Sequence, residues 1–260
     1  MKLISIAFSH YVEKARWALD RFGVPYEDAR YMPTFHFPAV LWATRGRGGR
    51  ADRVSSRFST PILLRDDGTA LRDSSDIVRW VSDTYATRET TLYPTEEVGR
   101  LEAELGVTLG PHTRRVVYDQ GLADAGLMRR MAERNVGATQ AALWSVMFPV
   151  TRTVIIRALH VTPAQALRSL DKCRVVFDEI EARRQGRPFL VGDRLSAADI
   201  AFATMAAPVL MPSPEFGYAA SLPTTDEMSP RAAEIVTEFR DHPAGRFALG
   251  LFQNHRKLRV

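Results

Sequence analysis

The sequence predicts two structurally different domains, an α/β domain over residues 1–85 and an all-α helical domain over residues 100–260, with a linker at 86–99. Before the linker, short apolar runs alternate with turn residues and helical patterns, whereas strand patterns nearly vanish after it. The chain has 260 residues, of which 45% are hydrophobic and 25% charged, so it can bury a sizeable core in each domain.

The α/β domain has its elements in the order βαβ–ββα. Residues 2–8 are predicted as the first strand and 12–22 as an amphipathic helix, and a second extended segment starts near residue 24. An aromatic stretch and a loop rich in Gly, Arg and Ser at 45–57 then precede a hairpin and a helix. This order predicts a mixed sheet with helices packed on it.

The hairpin and the helix after it occupy residues 60–80. The apolar strand 62–64 is followed by the turn residues Asp66, Asp67 and Gly68 and a return strand at 69–71. The polar stretch 73–76 is suited to capping the next helix, and a helix N-terminus attracts carboxylates. The block is therefore either an ordinary hairpin with a capped helix or part of a ligand site.

The second domain is predicted from helical spacing of its apolar residues. Residues 211–230 contain several prolines and are predicted as an ordered loop. The predicted helices cover residues 100–109, 114–135, 138–159, 163–184, 197–210, 231–240 and 242–255.

The charge distribution argues against a nucleic-acid partner. The net charge is +5, but the basic residues are spread along the chain except for Arg45, Arg47, Arg50, Arg53 and Arg57 in one loop. A nucleic-acid-binding protein would more often show a denser basic stripe with interleaved aromatic residues. A small anionic ligand is a sufficient reason for this modest positive field.

The remaining composition predicts a cytoplasmic protein with no metal site and no membrane association. No apolar stretch reaches the ~20 residues of a transmembrane helix, and the N-terminus lacks the features of a signal peptide. Cys173 is the single cysteine, so disulfides within the chain and cysteine-based metal sites are excluded. It lies in an amphipathic pattern and is expected to be buried.

Four short motifs occur in order along the chain. The first is a strand-to-helix turn at 8–19, which contains Ser9 and a basic-x-Arg-x-x-Leu pattern. The second is a Thr-Pro strand that starts at 60, and the third is an acidic-Ser-x-x-Ile segment at 71–77. The fourth is a capping box within 189–201. Together they resemble the cytosolic glutathione transferase superfamily, closest to its serine-using classes. The resemblance implies a thioredoxin-like N-terminal domain, a cis-proline at Pro61, an all-helical C-terminal domain and glutathione as co-substrate.

The resemblance also implies a chemical role for the first turn. The Ser9 hydroxyl would donate to the sulfur of glutathione, and this hydrogen bond and the helix dipole favour the nucleophilic thiolate. Tyr11 is the alternative donor, and a plain helix cap is the alternative role of Ser9. The turn contains no cysteine, which argues against the glutaredoxin-like classes.

The ligand contacts follow from the same resemblance. Thr60, beside Pro61, would offer its backbone to the cysteinyl part, and Asp73 and Ser74 would bind the γ-glutamyl end. The glycyl carboxylate would be bound by a cation of the arginine-rich loop, Arg57 among its five arginines, or by His36. Asp73 replaces the commoner Glu of the family, so a related low-molecular-weight thiol is an alternative to glutathione.

The second substrate would bind between the two domains. The expected wall residues are His10, Tyr11, His112, Arg115 and Tyr118, whereas Trp144 is expected in the core. The implied function is conjugation of glutathione to a small hydrophobic electrophile, as in detoxification, by a homodimer that associates through the hairpin-helix block and the start of the second domain. A non-catalytic relative that binds ligands or proteins is the alternative.

Overall fold

The computed structural model describes residues 1–45 and 57–257. The N-terminal domain has a four-stranded sheet in the order β2-β1-β3-β4. Strand β1 pairs in parallel with β2 and antiparallel with β3, which pairs antiparallel with β4. The mixed sheet of the thioredoxin-like fold is thus confirmed, with the strands β1 (Lys2–Ile6), β2 (Glu27–Tyr31), β3 (Ile62–Leu64) and β4 (Ala70–Leu71).

Three helices belong to this domain: α1 (His10–Arg21), α2 (Phe37–Ala43) and α3 (Ser74–Tyr85). The predicted helix cap at α3 is present, because Asp73 Oδ1 accepts a hydrogen bond of 2.8 Å from the Ser75 N–H. The Thr60–Pro61 peptide bond is cis, as the resemblance implies. The hairpin and capped helix therefore form as the sequence predicts.

The described residues of the second domain form helices joined by loops, with no strand among them. Two short 3₁₀ helices, Pro214–Phe216 and Thr225–Glu227, lie in the predicted ordered loop. The α-helices are α4 (Glu96–Thr108), α5 (Gly110–Gly121), α6 (Ala125–Asn135), α7 (Ala138–Leu159), α8 (Pro163–Arg184), α9 (Ala197–Leu210), α10 (Pro230–Asp241) and α11 (Pro243–His255).

Two differences from the predicted helices change the organisation of this domain. The helix expected over 114–135 is two helices, because the Asp124 carboxylate accepts from the Leu127 N–H at 2.9 Å and starts α6 anew. Helix α4 begins at Glu96, inside the expected linker, so only residues 86–95 separate the last helix of the first domain from the second domain.

Helix α9 forms the centre of the helical domain, and all its residues are buried. Its predicted capping box is present: Asp199 accepts from the Ser196 N–H and from the Leu190 N–H, both at 2.8 Å. Burial raises the pKa of Asp199 above its usual value, although these donors partly offset that effect. Cys173 on α8 is fully buried as expected, and burial raises its pKa to about 12.

Buried charges join the two domains around α1. Lys14 lies 2.9 Å from Glu102 of α4, and both side chains are almost completely buried. Arg256, just after α11, lies 2.8 Å from Glu13 and 2.9 Å from Asp20. These ion pairs fix α1, and with it the turn that contains Ser9, between the two domains.

Helix α7 is the one helix of the described residues that is long and apolar enough to cross a membrane by length and composition, which alone is weak evidence for a membrane span. Its inner face includes the buried residues Trp144, Phe148 and Ile155. Trp144 is fully buried and its Nε1 donates to the Pro33 carbonyl at 3.0 Å, so its expected place in the core is confirmed.

Candidate functional site

A cavity of about 700 Å³ lies between the two domains. The N-terminal domain contributes the β1–α1 turn, the β2–α2 loop, residues 58–61 and the start of α3. The helical domain contributes α5, α6, α7 and parts of residues 208–236. Most of the residues from the helical side are apolar, among them Leu127, Met128 and Met131, so the cavity combines a polar wall with an apolar one.

The β1–α1 turn places Ser9 at this cavity. The backbone just before it is held by two hydrogen bonds, because the Ala7 carbonyl accepts from Arg16 Nη1 at 2.9 Å and the Phe8 carbonyl accepts from the Tyr218 hydroxyl at 3.2 Å. Ser9 is the N-cap residue of α1, but its side chain does not form the cap hydrogen bond. The half-buried Ser9 therefore lines the cavity at a helix N-terminus, and its hydroxyl does not cap that helix.

The residues predicted to hold the ligand line the same cavity. Thr60 and Pro61 reach it from the strand edge before β3, and Asp73 and Ser74 reach it from the start of α3. Ser74 is buried as the first residue of that helix. The fold thus brings these four residues to the same cavity as Ser9, although each of them is more than fifty positions away from Ser9 in the sequence.

Tyr11 also lines the cavity, but its hydroxyl is bound to the helical domain. The hydroxyl donates to the Gly106 carbonyl at 2.8 Å, and burial raises the pKa of Tyr11 to about 12. The ring passes so close to Gly110 that a Cβ there would lie 2.4 Å from the Tyr11 oxygen, so only glycine fits.

His10 is a buried and neutral wall residue. Burial, helped by the nearby charge of Arg114, lowers its pKa to about 3. Its Nε2 atom has no hydrogen-bond partner within residues 1–45 and 57–257. His10 therefore adds no charge to the cavity at neutral pH.

Two of the expected wall residues do not line the cavity. Arg115 Nη1 donates to the Ser169 hydroxyl on α8 at 2.8 Å, and His112 Nδ1 lies 3.1 Å from the same oxygen. Both side chains therefore lie on the side of α5 that packs on α8. The prediction for His112 and Arg115 is corrected accordingly, whereas Tyr118 lines the cavity as expected.

The cavity residue that the sequence reasoning missed on this helix is Arg114. It lies four positions before Tyr118, and both line the cavity. Helical spacing alone does not separate Arg114 from Arg115, because both lie within one turn of Tyr118 and the packing of α5 on α8 decides which of them faces the cavity. The predicted helix began at 114 and the observed one begins at Gly110.

The loop candidates for the glycyl end are described only in part. Arg47, Arg50 and Arg53 lie outside the described residues. Arg57 places its guanidinium 5.9 Å from the centre of the Phe58 ring and is not among the cavity-lining residues, unlike Phe58 itself. His36 lines the cavity, its Nε2 lies 3.0 Å from the Phe58 carbonyl oxygen, and burial lowers its pKa to about 4.

Two protein-family models match the chain. Residues 8–84 match the N-terminal domain of glutathione S-transferase, and residues 143–227 match its C-terminal domain. Together the two matches cover more than half of the chain and both of its domains. No sequence among the curated proteins matches it.

Solved structures similar over the whole chain have the same fold. Glutathione transferase GSTFuA3 from Phanerochaete chrysosporium has a TM-score of 0.63 at 15% identity, and the match covers 100% of this chain and 98% of that one. A glutathione S-transferase of Ceriporiopsis subvermispora in complex with glutathione has a TM-score of 0.62 at 16% identity, with 99% and 98% covered. One from Xanthobacter autotrophicus has a TM-score of 0.61 at 16% identity, with 100% and 95% covered.

The similarity to solved structures shows the fold, and the two domain matches connect that fold to a family. The Thr60–Pro61 bond is cis, Asp73 caps α3 and a capping box at Ser196 starts α9. The chain therefore belongs to the glutathione S-transferase superfamily.

Proposed function

We propose that this protein transfers glutathione, or a related low-molecular-weight thiol, to a small hydrophobic electrophile. The observation that carries the proposal is the Ser9 hydroxyl, which lines the interdomain cavity at a helix N-terminus and does not cap its own helix. The apolar wall from α5, α6 and α7 provides a surface for the electrophile beside it. A thiol on the polar wall would thus lie next to an apolar compartment, which is the arrangement that conjugation requires.

Ser9 acts on the sulfur in this mechanism. The thiol proton passes to solvent, and the Ser9 hydroxyl and the N-terminal end of α1 stabilise the resulting thiolate. The sulfur then attacks an electrophilic carbon: the carbon–sulfur bond forms, and the leaving group departs with the electron pair of its bond. Tyr11 is the weaker candidate for this role, because its hydroxyl already donates to Gly106.

The rest of the thiol would be bound by the N-terminal domain. Thr60 next to the cis-proline offers backbone groups to the cysteinyl part, as an unpaired strand edge does. Asp73 would bind the γ-glutamyl ammonium group, and Ser74 at the start of α3 its carboxylate. Arg45, Arg57 and His36 are the described candidates for the glycyl carboxylate.

Asp73→Asn tests this binding mode. Asparagine caps helices as well as aspartate does, so α3 should keep its N-cap while the negative charge is lost. We expect the Kd for glutathione to rise about 10- to 100-fold, since a hydrogen bond to a charged group contributes roughly 1.5–3 kcal/mol. Isothermal titration calorimetry measures the change.

Asp67→Asn is the matched control, because Asp67 lies in the exposed hairpin turn away from the cavity. It should leave the Kd for glutathione unchanged. An Asp73→Asn protein that binds glutathione as tightly as the wild type would show that the ammonium group is bound elsewhere.

Catalysis is tested with the wild-type protein. Binding of glutathione together with turnover of an activated aryl halide is the expected result. Glutathione binding without turnover across a broad panel of electrophiles would favour the non-catalytic alternative. Turnover with another small thiol but not with glutathione would keep the mechanism and change the co-substrate.

We also infer a cytoplasmic homodimer that associates through α3 and α4. Tyr85 at the end of α3 and Val107 on α4 are apolar side chains with 45% and 47% of their surface exposed. Sedimentation equilibrium should give twice the chain mass of 29.2 kDa, and Tyr85→Glu should weaken the dimer. Val146→Glu on the exposed face of α7 is the control and should leave the dimer intact. A dimer that dissociates in Val146→Glu but not in Tyr85→Glu would place the interface on α7 instead.

A further inference from the structure

Arg114 is a cation on the wall of the cavity without an ionic partner. It is half-buried, and no carboxylate of residues 1–45 or 57–257 pairs with it. Its guanidinium carbon lies 5.9 Å from the centre of the Tyr11 ring. A partly desolvated guanidinium that faces a largely apolar cavity is stabilised when an anion binds to it.

The acidic residues of the cavity wall do not fill this role. Glu227 is paired with Arg134, and Asp124 accepts from the Leu127 N–H at the start of α6. Asp73 accepts from the Ser75 N–H at the start of α3. Each of these carboxylates thus has a donor of its own, and the charge of Arg114 stays available to a ligand.

The neighbours of Arg114 add a hydrogen-bond donor and no competing negative charge. Tyr118 lies one helical turn further along α5 and lines the cavity, and its hydroxyl has no hydrogen-bond partner within the described ranges. His10 is neutral at physiological pH, as described above. The face therefore offers a guanidinium and a phenol side by side, next to the apolar residues of α6 and α7.

We propose that Arg114 and Tyr118 bind the carboxylate of the electrophile, so that the preferred second substrates are hydrophobic electrophiles carrying an acidic group. A guanidinium matches a carboxylate with two parallel hydrogen bonds, and the apolar wall takes up the remainder of the molecule. This inference rests on the proposed transferase function, in which the thiolate lies at Ser9 in the same cavity.

The reaction with an acidic electrophile follows the same bond-making and bond-breaking steps as the general mechanism. With para-chloro-meta-nitrobenzoate, the thiolate sulfur attacks the ring carbon that carries chlorine, the carbon–sulfur bond forms, and chloride leaves with the electron pair. The carboxylate takes no part in bond making and serves only for recognition. The corresponding amide, para-chloro-meta-nitrobenzamide, has nearly the same shape and no charge, so it isolates the contribution of the anion.

Binding is measured first, with a glutathione whose sulfur is methylated and cannot react. Calorimetry on the full-length protein saturated with S-methylglutathione should show tighter binding of the benzoate than of the benzamide. In Arg114→Gln the Kd of the benzoate should rise about 10- to 100-fold while that of the benzamide stays within about twofold. Arg114→Lys should restore part of the preference, since it keeps the charge and loses the paired donors.

Arg115→Gln is the matched control, because the neighbouring arginine does not line the cavity and donates to the Ser169 hydroxyl and the Leu159 carbonyl. It should retain the preference for the benzoate. The Kd for glutathione, measured on every variant, verifies that the first binding site is intact and folded. The ratio of kcat/KM for the two electrophiles, corrected for their uncatalysed rates, should follow the binding data.

Three results would overturn the proposal. The first is equal affinity of the wild type for benzoate and benzamide, the second is a preference that survives in Arg114→Gln, and the third is a loss in Arg114→Gln that falls on glutathione binding instead. Failure of the transferase function is recognised separately, because it appears as absent turnover of both electrophiles by the wild type. The binding preference can still be measured in that case.

Discussion

Ser9→Ala is expected to lower kcat/KM for conjugation about 10- to 100-fold, the range that one hydrogen bond to a charged sulfur represents. The variant should also raise the pKa of bound glutathione by roughly one to two units, since one unit corresponds to about 1.4 kcal/mol of differential stabilisation. A higher thiol pKa means less thiolate at neutral pH, so the rising limb of the pH–rate profile should move to higher pH. The ultraviolet absorbance of the thiolate measures the pKa directly.

Ser9 is a favourable position for this test because its side chain does not cap α1. The usual cost of about 1 kcal/mol for removing an N-cap side chain should therefore be largely absent, and any loss of activity can be assigned to the sulfur. Ser9→Thr keeps the hydroxyl and should retain much of the activity. Tyr11→Phe should leave the thiol pKa unchanged, because the hydroxyl that it removes is bound to Gly106.

A wild-type pH–rate profile in Ser9→Ala would contradict the role of Ser9. If Tyr11→Phe instead moved the profile to higher pH, the hydroxyl of Tyr11 would have to leave Gly106 and bind the sulfur. Unchanged kcat/KM in both variants would mean that neither hydroxyl stabilises the thiolate. The backbone N–H groups at the start of α1 would then be the stabilising groups.

The sequence predicts this fold well where local signals decide it. Residues 163–184 and 197–210 are helices with the predicted bounds, because Thr162 and Ser196 provide caps at their starts. The prediction is wrong at Asp124, where a single helix cap inside a continuous helical pattern divides one predicted helix into two. Helical periodicity continues across such a break and does not reveal it.

The same reason explains which parts of the site could be predicted. Ser9, Thr60, Asp73 and Ser74 belong to short motifs in which the local backbone fixes the position of the side chain, and the structure brings them to one cavity. The opposite wall depends on how each helix is rotated about its own axis. Successive side chains are about 100° apart, so a difference of one position decides whether Arg114 or Arg115 faces the cavity. The three loop arginines at 47, 50 and 53 lie outside the described residues, so the choice among the loop cations stays a prediction.

Contacts between distant parts of the chain were beyond prediction from local patterns. Arg256 lies just after the last helix, and its partners Glu13 and Asp20 lie on the first one, more than 230 positions away. All three are buried, with side-chain exposures of 0%, 0% and 5%. Nothing in a basic residue near the end of a chain distinguishes a buried ion-pair partner from an exposed one.

Arg256→Met is expected to lower the free energy of unfolding by about 3–5 kcal/mol, since removing one partner leaves buried carboxylates without compensation. Arg16 lies 3.6 Å from Glu13 and remains, so the greater part of the loss should fall on Asp20. Arg231→Met is the control, because Arg231 and its partner Glu234 are more than half exposed and such pairs contribute about 0–1 kcal/mol. Urea unfolding followed by tryptophan fluorescence measures both changes.

The pH dependence of this loss separates electrostatics from packing. Burial already raises the pKa of Asp20 in the folded protein, and Arg256 opposes that rise, so Arg256→Met should raise the pKa further. A carboxyl group with a raised folded-state pKa binds more protons folded than unfolded, so stability falls as the pH rises above the unfolded value of about 4. The deficit of Arg256→Met relative to the wild type should therefore be larger at neutral pH than near pH ~5. An equal deficit at both pH values would assign the loss to packing of the arginine side chain against Trp17, whose ring centre lies 6.0 Å from the guanidinium carbon.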